Sequence, residues 1–132
     1  MATFTMTRTA EPVDIDELGH VNNAVYVRWI QDVATAHWFS AAPAEIAEKY
    51  VWVVVRHEID YRAPTVAGET VTLATWVGSP KGARFDRFVE VRGADARVRV
   101  AARTFWAMLD RNSMRPLRIG PDITRHFGDG AI

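Results

Sequence analysis

Apolar and polar residues alternate along most of this chain, and one long segment breaks the alternation. In residues 2–9, Thr3, Thr5, Thr7 and Thr9 share one side and Phe4 and Met6 the other, a period of two that predicts a strand. Segment 10–20 carries Pro12, Gly19 and several acids and predicts a loop. Asn22 or Asn23 suits a helix N-cap. From there Tyr26, Ile30, Val33 and His37 recur at helical spacing, and Val25, Trp29 and Ala36 widen the stripe. Arg28, Gln31, Asp32 and Thr35 fall on the opposite side, with Arg28 and Asp32 one turn apart. The pattern predicts an amphipathic helix to about Ser40, roughly 26 Å long. Pro43 suits the first turn of a short second helix over 43–49.

Period two then returns. In 50–62, Val51, Val53, Val55, His57, Ile59 and Tyr61 oppose Trp52, Val54, Arg56, Glu58, Asp60 and Arg62. After a turn region at 63–68, residues 69–77 set Val71, Leu73, Thr75 and Val77 against Thr70, Thr72, Ala74 and Trp76. The SPKG segment at 79–82 predicts a hairpin leading to a strand over 83–92, and RGADA at 92–96 turns it. In 96–109, Val98, Val100, Ala102, Thr104, Trp106 and Met108 form one face and Arg97, Arg99 and Arg103 the other. The tail beyond Asp110 contains Arg111, Arg115, Arg118 and Arg125. Strand, long helix and four strands with mostly short connections predict an α+β domain: an antiparallel meander packed on one central helix. Apolar residues on both faces of long strands predict a second buried surface, supplied by a partner subunit.

At 132 residues the chain suits one domain. Sixteen Lys and Arg against sixteen Asp and Glu give no net charge, which argues against a nucleic-acid binder. There is no cysteine, so disulfides, thiolate zinc sites and a cysteine nucleophile are excluded. The N-terminal residues have no apolar core of the signal-peptide kind. The longest purely aliphatic or aromatic run, Tyr50 to Val55, is far short of the ~20 residues of a membrane span. These features predict a cytoplasmic protein without a membrane partner.

Polar chemistry concentrates between the first strand and the helix, at Asp14, Asp16, Glu17, His20, Asn22 and Asn23. A helix start offers unpaired amides and the positive end of its dipole, which suit a developing oxyanion. Asp16 or His20 suits a base or nucleophile. Acids ahead of a helix also serve as turn formers and dipole partners, and that structural reading stands beside the catalytic one. A calcium loop does not fit: Leu18 and Val25 occupy positions that need oxygen ligands. No G-x-S-x-G nucleophile elbow is present.

The segment DIDELGHVNNAVYVRWIQD (14–32) resembles the signature of hotdog-fold acyl-CoA thioesterases, in particular the 4-hydroxybenzoyl-CoA thioesterase-like group and, more loosely, plant acyl-carrier-protein thioesterases. The pattern D-x-D-x-x-G-H-V-N-N-x-x-Y runs without a gap from Asp14 to Tyr26, and EIDYRAPTVAGETVTL (58–73) resembles the family's second and third strands and their joining turn. The resemblance implies a hotdog fold, a curved five-stranded antiparallel sheet around one helix. It implies hydrolysis of an acyl-CoA thioester, without metal or cofactor, at a subunit interface of a homodimer or homotetramer. Asp16 matches the catalytic carboxylate, as nucleophile or general base. His20 matches a histidine that positions water or substrate in some branches, and the amide near Asn23 matches the oxyanion donor. Gly19 is expected to let the loop approach the thioester, Asn22 to cap the helix, and Tyr26 to face substrate or core. Leu18 stands where the plant enzymes have Asn, and the 4-hydroxybenzoyl branch has a different residue at His20.

The family's use of hairpin and tail cations for CoA phosphates implicates Lys81, Arg84, Arg87, Arg115 and Arg118, each of which also suits a solvated face. His57 is expected to be a core or interface histidine, and Glu58 is a weaker candidate for a second carboxylate. Two rivals share the fold: an acyl-carrier-protein thioesterase and a non-catalytic acyl-CoA-binding module. Asp16 and His20 favour an enzyme, because a binding module requires neither.

Overall fold

The computed structural model describes residues 3–127. Strand β1 (Phe4–Thr9) leads through a 3₁₀ turn at Pro12–Asp14 to helix α1 (Asn23–Ala41) and the short α2 (Ala44–Ala47). Strands β2 (Tyr50–Tyr61), β3 (Thr70–Lys81), β4 (Arg84–Arg92) and β5 (Val98–Asp110) follow, and one turn of helix, α3 (Pro121–Thr124), closes the fold. The five strands form one antiparallel sheet in the order β1-β3-β4-β5-β2. With α1 packed on it, this is the hotdog arrangement that the resemblance implied.

The helix forms where its stripe predicts. Val25, Tyr26, Trp29, Ile30, Val33 and His37 are buried, joined by Ala34 and Trp38. Val71, Leu73, Val89, Val91 and Val100 come up from the sheet to meet the first half of that stripe. A second cluster covers the helix's far half, where Trp38 packs with Val77, Phe85, Met108, Ile123 and Phe127. The arginine-bearing tail is therefore a core element. It is pinned by Leu117 N–H to the Met108 carbonyl at 3.0 Å and Ile119 N–H to the Gly82 carbonyl at 2.8 Å.

Two expectations are corrected. The predicted four-strand meander holds only for β3-β4-β5, because β2 pairs with β5 at the opposite edge. The segment between β2 and β3 does not close on itself as a hairpin. Arg62 and Ala63 donate to the Arg99 carbonyl, Gly68 donates to the Ala10 carbonyl, and Thr65 accepts from Val21. The segment thus crosses the end of the sheet and ties β5, β1 and the acidic loop together. The alternation predicted along β2 also switches. A bulge between Val54 and Arg56 inserts one residue, so Trp52 faces the core before it, and His57 and Ile59 are the half-buried residues after it. Val53 and Val55 are exposed in consequence.

Candidate functional site

The acidic loop is a tight structure rather than a free excursion. Ile15 bridges Val21, Asp16 N–H donates to the His20 carbonyl at 2.9 Å, and Gly19 N–H donates back to the Asp16 carbonyl at 3.0 Å. Gly19 adopts φ +81°, and a Cβ there would meet no atom within 4 Å. Glycine suits this left-handed turn, which a side chain would strain. The Leu18 amide donates to Asp16 Oδ1 at 2.9 Å and so orients the carboxylate. Oδ2 has no partner among the described residues. Asp14 Oδ2 accepts from the Glu11 amide at 2.9 Å, a structural role.

Asn22 caps α1, its side chain accepting from Ala24 N–H at 2.9 Å. Val25 N–H goes to the Asn22 carbonyl. The Asn23 amide makes no hydrogen bond among the described residues. Asp16, His20, Asn22, Asn23 and Tyr26 all border one cleft of about 370 Å³ at this end of the helix, with Tyr61, Arg62 and Pro64 as its other wall. Tyr26 is buried at the floor, and burial raises its phenol above the ordinary value. Among the described residues neither its hydroxyl nor that of the neighbouring Thr65 has a hydrogen-bond partner. Removing the cap by Asn22→Ala is expected to lower stability by about 1 kcal/mol, measured by urea unfolding, with Asn22→Asp restoring most of the loss.

The crossing segment that walls the cleft is itself anchored. Arg99 Nη1 donates to the Pro64 carbonyl at 2.7 Å, and Nη2 pairs with Glu69 Oε2 at 3.0 Å. The Arg99 hydrogen bond holds the Glu69 carboxyl below its usual range. Among the described residues Arg62 is the only lysine or arginine lining the cleft, and sequence reasoning missed it. The signal was the matched 58–73 segment, read there as two strands and their joining turn.

The five expected phosphate-binding cations lie elsewhere. Lys81 and Arg84 flank the β3–β4 hairpin, and Arg115 meets the end of β5 through its carbonyl, which accepts from Asp110 N–H. Thr70, at the other end of β3, pairs with Thr9 beside the acidic loop. A strand of 12 residues separates these ends by about 36 Å. Arg118 precedes Ile119 at the same far end. Arg87 corrects the expectation outright: inward-facing on β4, it is buried against His37 and Thr75 rather than presented to solvent. Glu58 is exposed and pairs with Arg56 at 3.3 Å, outside the cleft lining. The half-buried His57 ring has no partner for either nitrogen among the described residues, and burial lowers its pKa. Among the described residues no cluster of three His, Asp or Glu side chains is placed to hold a metal, and no helix is long and apolar enough to cross a membrane.

Comparison with known proteins gives a consistent family. A model of the thioesterase-like superfamily matches residues 10–127. An uncharacterised protein of Mycobacterium tuberculosis is 27% identical over 115 residues, which cover 87% of this chain and 45% of that protein. The chain thus spans less than half the length of that relative. Among solved structures, a 1,4-dihydroxy-2-naphthoyl-CoA thioesterase from Synechocystis superposes with TM-score 0.81 at 18% identity, covering 96% of both chains. An acyl-ACP thioesterase from Bacteroides thetaiotaomicron superposes with TM-score 0.84 at 26% identity, covering 96% of this chain and 54% of that one.

Proposed function

The chain belongs to the thioesterase-like superfamily, and from that premise we propose that it hydrolyses an acyl-CoA thioester to the free acid and CoA. The observation that carries the proposal is the placement of Asp16. Its carboxylate is oriented through Oδ1, its Oδ2 is unengaged, and it shares a cleft with the unpaired amide that starts α1. In this reading Oδ2 takes a proton from water as the water oxygen attacks the thioester carbon. The Asn23 amide donates to the oxyanion that forms. Collapse breaks the C–S bond and releases the CoA thiolate. As a nucleophile, Oδ2 would instead form a mixed anhydride that water then cleaves. His20 orients water or the carbonyl, and Gly19, Asn22 and Tyr26 shape the cleft around it.

Arg62 suits the CoA phosphates as the cation at the cleft wall. Lys81, Arg84, Arg115 and Arg118 reach a thioester in this cleft only from a second copy of the chain, which fits a homodimer or homotetramer. The unpaired edge of β2, with Val53 and Val55 exposed, is the surface we assign to that contact. A second reading, a thioester carried by an acyl carrier protein, is favoured by the likeness to the Bacteroides enzyme.

Release of free thiol from short, long, branched and aryl acyl-CoAs tests the proposal. Turnover of at least one class is expected. Folded protein that turns over none would overturn the CoA reading and leave the carrier-bound thioester to be assayed next.

A further inference from the structure

Beneath the C-terminal half of α1 lies a second cavity, of about 210 Å³. Its walls are aromatic, with Trp38, Trp52, Phe85, Trp106 and Phe127 among them, and among the described residues no carboxylate lines it. Two arginines do. Arg111 is spent on the backbone, donating to the Glu48 carbonyl at 2.7 Å and the Tyr50 carbonyl at 3.2 Å. Arg87 is not. It is 6% exposed, and its Nη1 donates to His37 Nδ1 at 2.9 Å and to Thr75 Oγ1 at 3.0 Å. Its guanidinium lies over the Phe127 ring, 5.6 Å from the centroid. Its Nε and Nη2 have no hydrogen-bond partner among the described residues.

Other arginines of the sheet have carboxylates: Arg92 pairs with Glu90, Arg99 with Glu69 and the exposed Arg103 with Asp86. Asp86, although next to Arg87 in sequence, projects from the opposite face of β4 and is committed to Arg103. A buried charge without a counter-charge destabilises a fold, and an apolar side chain of similar volume would fill this position better. The free edge of Arg87 is a planar fork that matches a carboxylate in a two-point pair.

We propose that this cavity binds a ligand with a flat apolar body and a carboxylate, the ring among the tryptophans and the carboxylate on Nε and Nη2 of Arg87. Size permits it, since an apolar cavity of about 150 Å³ takes up benzene. The cavity's helical residues begin at Ala34, eleven positions beyond Asn23 and so about 17 Å along the helix. Within one copy of the chain this is a different place from the Asp16 cleft. The inference stands without the thioesterase reading, because it is measured as binding and not as turnover.

Isothermal titration of benzoate and 2-naphthoate, each against its neutral carboxamide, tests it. At least one acid is expected to bind saturably and roughly 10- to 100-fold more tightly than its amide, the range for a charged hydrogen bond. In Arg87→Met that preference is expected to vanish, with the circular dichroism of the wild type and a Tm unchanged or raised. Equal binding of acid and amide, no saturable binding of either acid, or a preference retained in Arg87→Met would overturn the proposal. Should the variant fail to fold, the acid–amide comparison on the wild-type chain decides alone.

Discussion

Asp16→Asn is expected to lower kcat for thioester hydrolysis by roughly 10²- to 10⁴-fold, the range for a lost acid–base group. That corresponds to about 3–5 kcal/mol of transition-state stabilisation. The fold should be unaffected, because the asparagine side chain keeps the Oδ1 that accepts from Leu18 N–H. What it loses is the ability of the second position to take a proton or attack a carbonyl. KM should change little, since the carboxylate makes its contribution at the transition state. Asp14→Asn is the control: that carboxyl serves the Glu11 amide and borders no part of the cleft. It should leave kcat within a few fold. Single turnover in ¹⁸O-labelled water separates the two mechanisms, because label enters the Asp16 carboxylate only if an anhydride forms and water attacks its aspartyl carbon. Undiminished kcat in folded Asp16→Asn would remove Asp16 from catalysis.

How much of this was legible in the sequence depended on whether a feature is local. The helix start at Asn22 is written in the residue type that caps it, and the α1 stripe in a period that only a helix satisfies. The grouping of the loop's polar residues was legible for the same reason, since Asp16, His20 and Asn23 are close in sequence and border one cleft. The β2 bulge was not legible, because Val51 to Val55 are all apolar, or aromatic at Trp52, and carry no mark of which residue is the extra one. Nor was the far-edge position of β2. It is set by the ladder with β5 and continued by the crossing, where Arg62 and Ala63 donate to Arg99, 36 or more positions away, which no local pattern encodes. That crossing places Arg62 at the cleft. Arg87 misled for a simpler reason: its residue type suits a phosphate, although it shares its strand parity with the buried Phe85, Val89 and Val91.

The same buried cluster predicts how stability responds to acid. His37 packs between the Phe4 and Phe127 rings and accepts Arg87 Nη1–H at Nδ1, so it is neutral with its proton on Nε2. Burial, and after it the Arg87 charge, lowers its pKa from 6.5 to about 4. The unfolded chain therefore binds a proton at this side chain below about pH 6.5, while the native chain declines it until about pH 4. Protons thus favour the unfolded state across that window. Stability is full above pH 6.5 and falls as the pH drops toward 4, by about 3 kcal/mol for a shift of this size. His57, also lowered by burial, acts in the same direction. Glu69 and Asp110, whose carboxyls are held low, add losses only where carboxylates titrate, at the acid end. Urea unfolding between pH 7.5 and pH 5 isolates the histidine contribution. His37→Gln, which keeps an acceptor for Arg87 and does not titrate, is expected to flatten most of the slope at the expense of some stability at neutral pH. Parallel slopes for the wild type and His37→Gln would mean that His37 is protonated in the native protein as easily as in the unfolded one, and that its contact with Arg87 is not maintained in solution.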